Sequence, residues 1–415
     1  MKKILALVLA LALCLTAVSA LGEGLKVGVI LVGDETEGYT KAHMDGIRGA
    51  LETLGLTEED TVVWKYKVDE SSACLEAAED LADQGCNLII SNSYGHQDYM
   101  DQAAAEFADE DITFVSMTGD YAAISGKSNF KNAFTKVFQS RYVSGVVAGM
   151  KLAELVETGV LTPETQANSF TEDGKVKIGY VGAYPYAEVV SGYTAFFLGV
   201  KSVYDNIEME VQYTNSWFDI SAEAAAAEAL VANGCVIIGQ HADSTGAPSA
   251  VEKLLNAGTI CYSVGYNVSM LDVAPTAALT SPTNEWAVYY TYLFNAVMNG
   301  EEVVADWAEG YDESAVAITE LGASCAAGTA EKVAEVEAAL ADGTLEVFDT
   351  STFTVNGETV TTAPIDLSYM DYSTMTAIYA GDTVEAIVDG VFEESVFRAA
   401  PYFSLRIDGI VEDAQ

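Results

Sequence analysis

The chain has 415 residues, with 62 acidic against 19 basic side chains and a formal charge of −43. Such a surface repels phosphate backbones and anionic lipid heads, which argues against nucleic-acid binding. Half of the residues are hydrophobic, so this is not an acidic disordered chain, and the length suits two domains with an appendage.

Lys2 and Lys3 precede an apolar run, Ile4 to Leu15, and Thr16 to Ala20 ends in small residues, with Val18 and Ala20 at the −3 and −1 positions of a cleavage site. Residues 1–20 therefore read as a secretory signal, and the mature chain of about 390 residues is expected to be exported. Lipid attachment through Cys14 is disfavoured, because Leu13 stands where lipoprotein processing needs a small residue. No later segment has 18 uninterrupted apolar residues, so no membrane-spanning helix is expected. The remaining cysteines, Cys74, Cys86, Cys235, Cys261 and Cys325, are odd in number and scattered, with no CxxC pair. They read as buried free thiols, and neither a disulfide framework nor a zinc site is expected.

From Leu25 onward helix and strand alternate. Strands are predicted at 26–32, 61–68, 87–91 and 112–116, and helices at 40–54, from Ser71 or Ser72 to Gln84, and at 97–109. Residues 119–132, rich in Gly, Ser and Asn, read as a loop. The pattern then restarts with a long helix over 138–156, whose Ser144, Gly145, Ala148 and Gly149 form a small-residue face. Strands follow at 175–181, 208–214, 236–239 and 260–264, with helices at 187–204, from a Ser221 cap to Asn233, and at 247–256. A last strand and helix are predicted at 277–280 and 284–299. This alternation predicts parallel sheets covered by helices.

The stretches AAEDLADQGCNLII and AAEALVANGCVIIG align Ala78 with Ala227, Leu81 with Leu230, Gly85 with Gly234 and Cys86 with Cys235 at one offset of 149. A duplicated βαβ series, hence two related lobes, is the reading. Because chains of this kind cross between lobes more than once, 25–137 with 271–310 is assigned to the first lobe and 138–270 to the second. Residues 311–415 are taken as an extension packed on the body: a helix over 331–341, a hairpin over 345–360 around Asn356-Gly357, and a helical cap carrying Tyr369, Met370, Tyr372, Met375 and Tyr379.

Parallel α/β sheets present ligands at the carboxyl ends of their strands. The stretches that follow the strands here are GDETEGYTKAH, SNSYGHQDY, SMTGDY, GAYPYAEV, TNSWFD, GQHADSTG and GYNVSM. They gather Tyr39, His43, Tyr94, His96, Tyr121, Tyr184, Tyr186, Trp217, Phe218 and His241. Rings to stack on, with a few Asn, Asp, Ser and His to pair edges, suit a planar polar ligand. Each ring alone is more often packing; the clustering is the signal. Enzyme motifs are missing: there is no GxGxxG after a strand, no GxxxxGK[ST] and no GxSxG. Asp219 and Glu188 stand where helix starts would use them structurally.

Several of these stretches together resemble the basic membrane protein family, the purine-nucleoside-receptor class of ABC-importer substrate-binding proteins, and most of all its branch with GW-x-x-x-H and N-S-W-F-D motifs. GYTKAHMDG (38–46) is similar to the first motif with Tyr39 in place of Trp, and TNSWFD (214–219) matches the second. FQSRYVSGVVAG (138–149) resembles the family's Y-L-A-G-x-x-A-G helix, and YPYAEVVSGYTAFFLGVKSV (184–203) its P-x-x-E-V stretch. GQHADS (239–244), GYNVSM (265–270) and TSPTNEWAVYY (280–290) resemble three further segments, the second without its two acids. The resemblance covers about residues 26–310 and stops short of the tail beyond Leu345.

It implies a two-lobed, type I periplasmic-binding-protein-like α/β fold, each lobe a parallel sheet flanked by helices. It also implies a binding protein with no enzymatic activity, cofactor or metal, which closes about its crossover segments on a purine base or nucleoside in the interlobe cleft. Its expected partners are that ligand and a membrane permease, and the chain is expected to act as a monomer. Tyr39 would stack on the base, with His43, Tyr94 and Gly95 in the same pocket. Tyr186, Glu188, Trp217, Asp219, His241 and Asp243 would line the second lobe, with Asn267 and Trp286 nearby. In relatives an acid near the position of Asn267 can bind ribose hydroxyls; Asn267 and Ser269 here favour a free base, or another heterocycle, over a nucleoside. A sensor of the same fold, a receptor for a sugar or amino acid, and an exported hydrolase are the competing readings.

Overall fold

The computed structural model describes residues 24–371 and 374–413. The expected signal at 1–20, with Cys14, and Tyr372 of the tail lie outside the described residues. In chain order the elements begin β1 (Val27–Ile30), α1 (Gly38–Leu54), β2 (Val62–Lys65), α2 (Ser72–Asp83), β3 (Leu88–Ser91), α3 (Gln97–Glu106), β4 (Thr113–Met117) and β5 (Phe130–Thr135). They continue with α4 (Val137–Glu157), β6 (Val176–Gly182), α5 (Ala187–Lys201), β7 (Ile207–Tyr213), α6 (Ile220–Ala232), β8 (Ile237–Gln240), α7 (Gly246–Asn256) and β9 (Tyr262–Ser263). Then come β10 (Pro282–Asn284), α8 (Trp286–Asn299), β11 (Asp306–Glu309), β12 (Val316–Ile318) and α9 (Thr329–Ala341).

The chain groups into two units. One holds the described residues up to Asp34, His43–Ala133 and Trp286–Trp307; the other holds Glu35–Ala42, Phe134–Glu285 and the described residues from Ala308 onward. The first unit is built on a sheet of order β11-β5-β4-β3-β1-β2, with β1 parallel to β2 and β3, β3 to β4 and β4 to β5. Its central strands are buried along their whole length, which is why they read as unbroken apolar runs. The second unit is built on β6, β7, β8 and β9, again all parallel, with a further C-terminal strand at one edge. This α/β architecture of parallel sheets with flanking helices is the class the sequence predicts.

The repeat has a structural counterpart in each unit. Gly85 and Gly234 sit just past helices α2 and α6 with φ of 83° and 101°, the left-handed conformation that favours glycine. The next residue's amide closes each turn in the same way, Cys86 N–H on Leu81 O and Cys235 N–H on Leu230 O, both at 3.0 Å. Both thiols are buried and free, as are Cys74 and Cys261.

Several expectations are corrected. The segment 119–132, expected as a loop, contains the short helix Ala122–Ser125 and runs into β5, all of whose side chains are buried. The strand expected at 277–280 is only one bridge, Ser263 to Ala278; the ladder lies at β10, antiparallel to β12. The cap of α6 is Asp219, two residues before the expected Ser221; it accepts from the amides of Ser221 and Ala222, so Ser221 already lies inside the helix. At 345–360 the Asn356-Gly357 turn forms, with φ of 53° and 80°, but only the Val355–Glu358 bridge closes it, and no hairpin extends from it. The expected helical cap is a set of short antiparallel pairs: β13 (Pro364–Asp366), β14 (Tyr369–Asp371), β15 (Thr376–Tyr379), β16 (Thr383–Glu385), β17 (Ile387–Val388) and β18 (Val391–Phe392). Tyr379, Met370 and Tyr369 belong to strands there because the β-branched and aromatic alternation of the segment suits a pleated ribbon. The last strand, β19 (Ile410–Glu412), joins the second unit's sheet parallel to β7.

Candidate functional site

In the second unit the segments after β6, β7 and β8 bring a group of rings together. Tyr184 and Tyr186 stack at 5.1 Å and 13°. Trp217 meets Tyr184 edge-on at 5.4 Å and lies 6.3 Å from Tyr186. His241 follows at 6.2 Å from Trp217, and Tyr266 at 5.2 Å from His241. The backbone ties these segments: the Asp243 amide donates to Trp217 O at 2.7 Å. Asn215, just before Trp217, adopts a left-handed φ of 56°, a conformation Asn tolerates better than most residues. Tyr186 is 56% exposed, so one end of this aromatic wall faces solvent while His241 and Tyr266 close the other.

Behind the rings lies Arg141, a residue the sequence reading missed. It sits on α4 and is buried. Its Nη1 donates to Tyr180 Oη at 2.6 Å and to Gln240 O at 2.9 Å, and its guanidinium lies 3.8 Å from the Tyr266 ring centre. Among the described residues no carboxylate forms an ion pair with it. The nearest route to one runs through His241, whose Nε2 is 3.0 Å from Glu188 Oε1. Burial, then the Arg141 charge, lowers the His241 pKa to about 4. The imidazole is therefore neutral at physiological pH. Its one proton belongs on Nε2, where the Glu188 carboxylate accepts it, leaving the Nδ1 lone pair on the side of the cation. Gly192 on α5 makes this arrangement possible: a Cβ there would lie 2.8 Å from both Arg141 Cδ and His241 Nδ1.

The other predicted residues take different places. Asp243 is buried, accepts from Asn267 Nδ2 at 2.7 Å, and its carboxyl is pushed well above the usual range by burial, then by the charges of Glu37, Glu188 and Glu223. Asn267, with φ of 62°, accepts in turn from Asn284 Nδ2 at 3.1 Å. The pair is an internal polar network, each group satisfied by the next. Asp219 is spent on capping α6. Tyr39 lies in the first turn of α1, half-buried.

In the first unit His43 is fully buried, stacked on Trp286 at 4.4 Å and 21°, with Nδ1 2.7 Å from the Tyr290 hydroxyl. Burial lowers its pKa to about 3. His43 and Trp286 thus form an α1–α8 core contact within this unit. Tyr94 is half exposed and donates to Asp120 at 3.3 Å, and Gly95 beside it packs on the Glu70 side chain. Among the described residues no three of His, Cys, Asp and Glu come together in a way that could hold a metal ion.

One titratable group joins the tail to the second unit. Glu394 is buried and accepts from the hydroxyls of Ser191, on α5, and Ser395. Burial pushes its pKa from 4.5 up to about 7, with the Glu188 charge adding and the two hydroxyls opposing. The native state therefore keeps a proton that the unfolded chain releases near 4.5. The stability this group supplies is complete below that pH and is lost as pH rises toward 7, by about 3 kcal/mol. Glu394→Gln is neutral throughout, so its stability relative to the unaltered chain should rise between pH 4.5 and 7 in urea unfolding. A difference that does not change with pH would refute the buried carboxyl.

A family model described as Bmp, ABC transporter substrate-binding protein PnrA-like, matches residues 25–343. The chain is 32% identical over 279 residues to a purine-binding protein of Brucella abortus, covering 67% of this chain and 70% of that protein. It is 28% identical over 276 residues to a putative ABC transporter glucose-binding protein of Haloferax volcanii, covering 66% of this chain and 62% of that one. Among solved structures, a solute-binding protein of an ABC transporter system from Aeropyrum pernix is similar in fold, with a TM-score of 0.60 at 14% identity over 78% of this chain and 92% of that one.

Proposed function

This chain belongs to the Bmp family of PnrA-like ABC transporter substrate-binding proteins, and we propose that it takes a purine-like ligand at the strand-end aromatic group of its second unit and delivers it to a permease without altering it. The observation that carries this reading is the stacked wall of Tyr184, Tyr186 and Trp217 with an exposed Tyr186 face. A flat heterocycle can continue such a stack, and each stacked base is worth about 1–3 kcal/mol. The likeness to a purine-binding protein supports the same ligand class. Substrate-binding proteins of ABC importers work outside the cytoplasm, which agrees with the expected export of the chain.

Calorimetry against purine bases, nucleosides, sugars and amino acids tests the ligand. Purines should bind, and Trp217→Ala or Tyr186→Ala should weaken binding by about tenfold or more, at the stacking energies above. Response to sugars alone would sink the ligand assignment. Cells lacking the chain should lose uptake of labelled purine; undiminished uptake would favour a sensor of the same fold.

A further inference from the structure

We infer that Glu188 reads the edge of the ligand and selects purines that present two adjacent N–H donors, the guanine pattern, over those with an acceptor at that edge. The inference rests on the purine reading above. Glu188 follows Tyr186 by two residues in the first turn of α5, and its side chain is 24% exposed. Its Oε1 accepts from His241, and among the described residues this is the carboxylate's one hydrogen bond. One lone pair of Oε1 and both of Oε2 are thus left for a ligand, and the His241 ring that holds the carboxylate lies 6.2 Å from Trp217.

The surroundings keep Glu188 an acceptor and hold it still. His241 is fully enclosed, tilted against Trp217 on one side and Tyr266 on the other. It offers Glu188 an N–H because the buried Arg141 cation disfavours a proton on the opposite nitrogen. Of the other acids on these loops, Asp219 turns its Oδ1 to two amides at the start of α6, and Asp243 is buried and bonded to Asn267. A carboxylate fixed in this way pairs with two N–H groups side by side. Guanine offers N1–H and its 2-amino group. Hypoxanthine, which lacks only that amino group, offers one donor there, and adenine's edges set a ring-nitrogen acceptor against the carboxylate. Sites built to hydrogen-bond a group reject the analogue lacking it by large factors.

The test measures binding of guanine, hypoxanthine, adenine and glucose to the purified full chain by competition calorimetry. Guanine should bind at least tenfold more tightly than hypoxanthine or adenine. In Glu188→Gln, His241 still donates to the side-chain oxygen, so an amide N–H₂ now faces the ligand; guanine affinity should fall at least tenfold and the guanine-to-adenine preference should shrink or invert. Equal affinity for guanine and hypoxanthine in the unaltered chain, a comparison that needs no variant, overturns the assignment and leaves the purine reading standing. So does unchanged guanine binding in Glu188→Gln. Glucose binding with no response to any purine overturns both.

Discussion

Phe403→Ala is expected to destabilise the second unit by about 3–5 kcal/mol. Phe403 is fully buried, stacked on Phe348 at 4.3 Å and 19°, and edge-on to Phe392 at 4.7 Å. Phe348 in turn lies 5.2 Å from Phe138 of α4. These tail rings belong to one continuous core with Val143, Val146, Tyr180, Phe196 and Phe197. The family match ends at residue 343, yet the chain beyond it fills the interior of the second unit and adds β19 to its sheet. Denaturant unfolding of the variant measures the loss. A value under about 1 kcal/mol would mean the tail rests on the surface, since filling a fully buried aromatic site with a methyl group otherwise leaves a cavity. Cutting the chain after Gly343 removes Phe348, Phe392 and Phe403 together, and the product is expected to aggregate.

That role of the tail was illegible in the sequence for a physical reason. β19 is three residues long and exists because β7 offers it a ladder; nothing local marks it. β5 was hidden differently. It reads FKNAFT, with Lys and Asn where a central strand should be apolar. Their partners are remote: Lys131 donates to Val303 O, and Asn132 binds Ser116 O and the amides of Tyr121 and Ala122. Tertiary hydrogen bonds make those side chains interior, and periodicity sees only their polarity. The main α/β series was legible because its strands are buried on both faces and its helices carry stop signals at Gly85 and Gly234. Within the candidate site, Tyr184, Tyr186, Trp217 and His241 were found from their positions at strand ends. Arg141 was not, since a charge on a helix is usually solvated; the available signal was a lone charged residue followed by nine without charge, Tyr142 to Met150. His43 and Trp286, expected at the ligand, stack on each other within the first unit, a contact between α1 and α8 that their residue types alone do not reveal.

Gly145→Ala is expected to destabilise the second unit by about 2–3 kcal/mol, although alanine is the better helix former by about 1 kcal/mol. The small face predicted on α4 is where α5 crosses it. A Cβ on Gly145 would lie 2.1 Å from Phe196 O, and one on Gly199 would lie 2.0 Å from Tyr142 O, with the two glycine Cα atoms only 3.0 Å from the partner's added Cβ. Backbone oxygens cannot rotate aside as a side-chain tip can, so the helices must separate. Separation reaches the candidate site, because α4 carries Arg141 while α5 carries Glu188 and Gly192. Ligand affinity should therefore fall together with stability. Gly199→Ala should behave alike, and the double variant should cost less than the sum, because once the helices have parted the second methyl group enters space already opened. Denaturant unfolding of the two single variants and the double variant measures this. Full additivity, or a gain in stability of the size helix propensity alone predicts, would mean that the crossing is looser than described and that the glycines serve the helices individually.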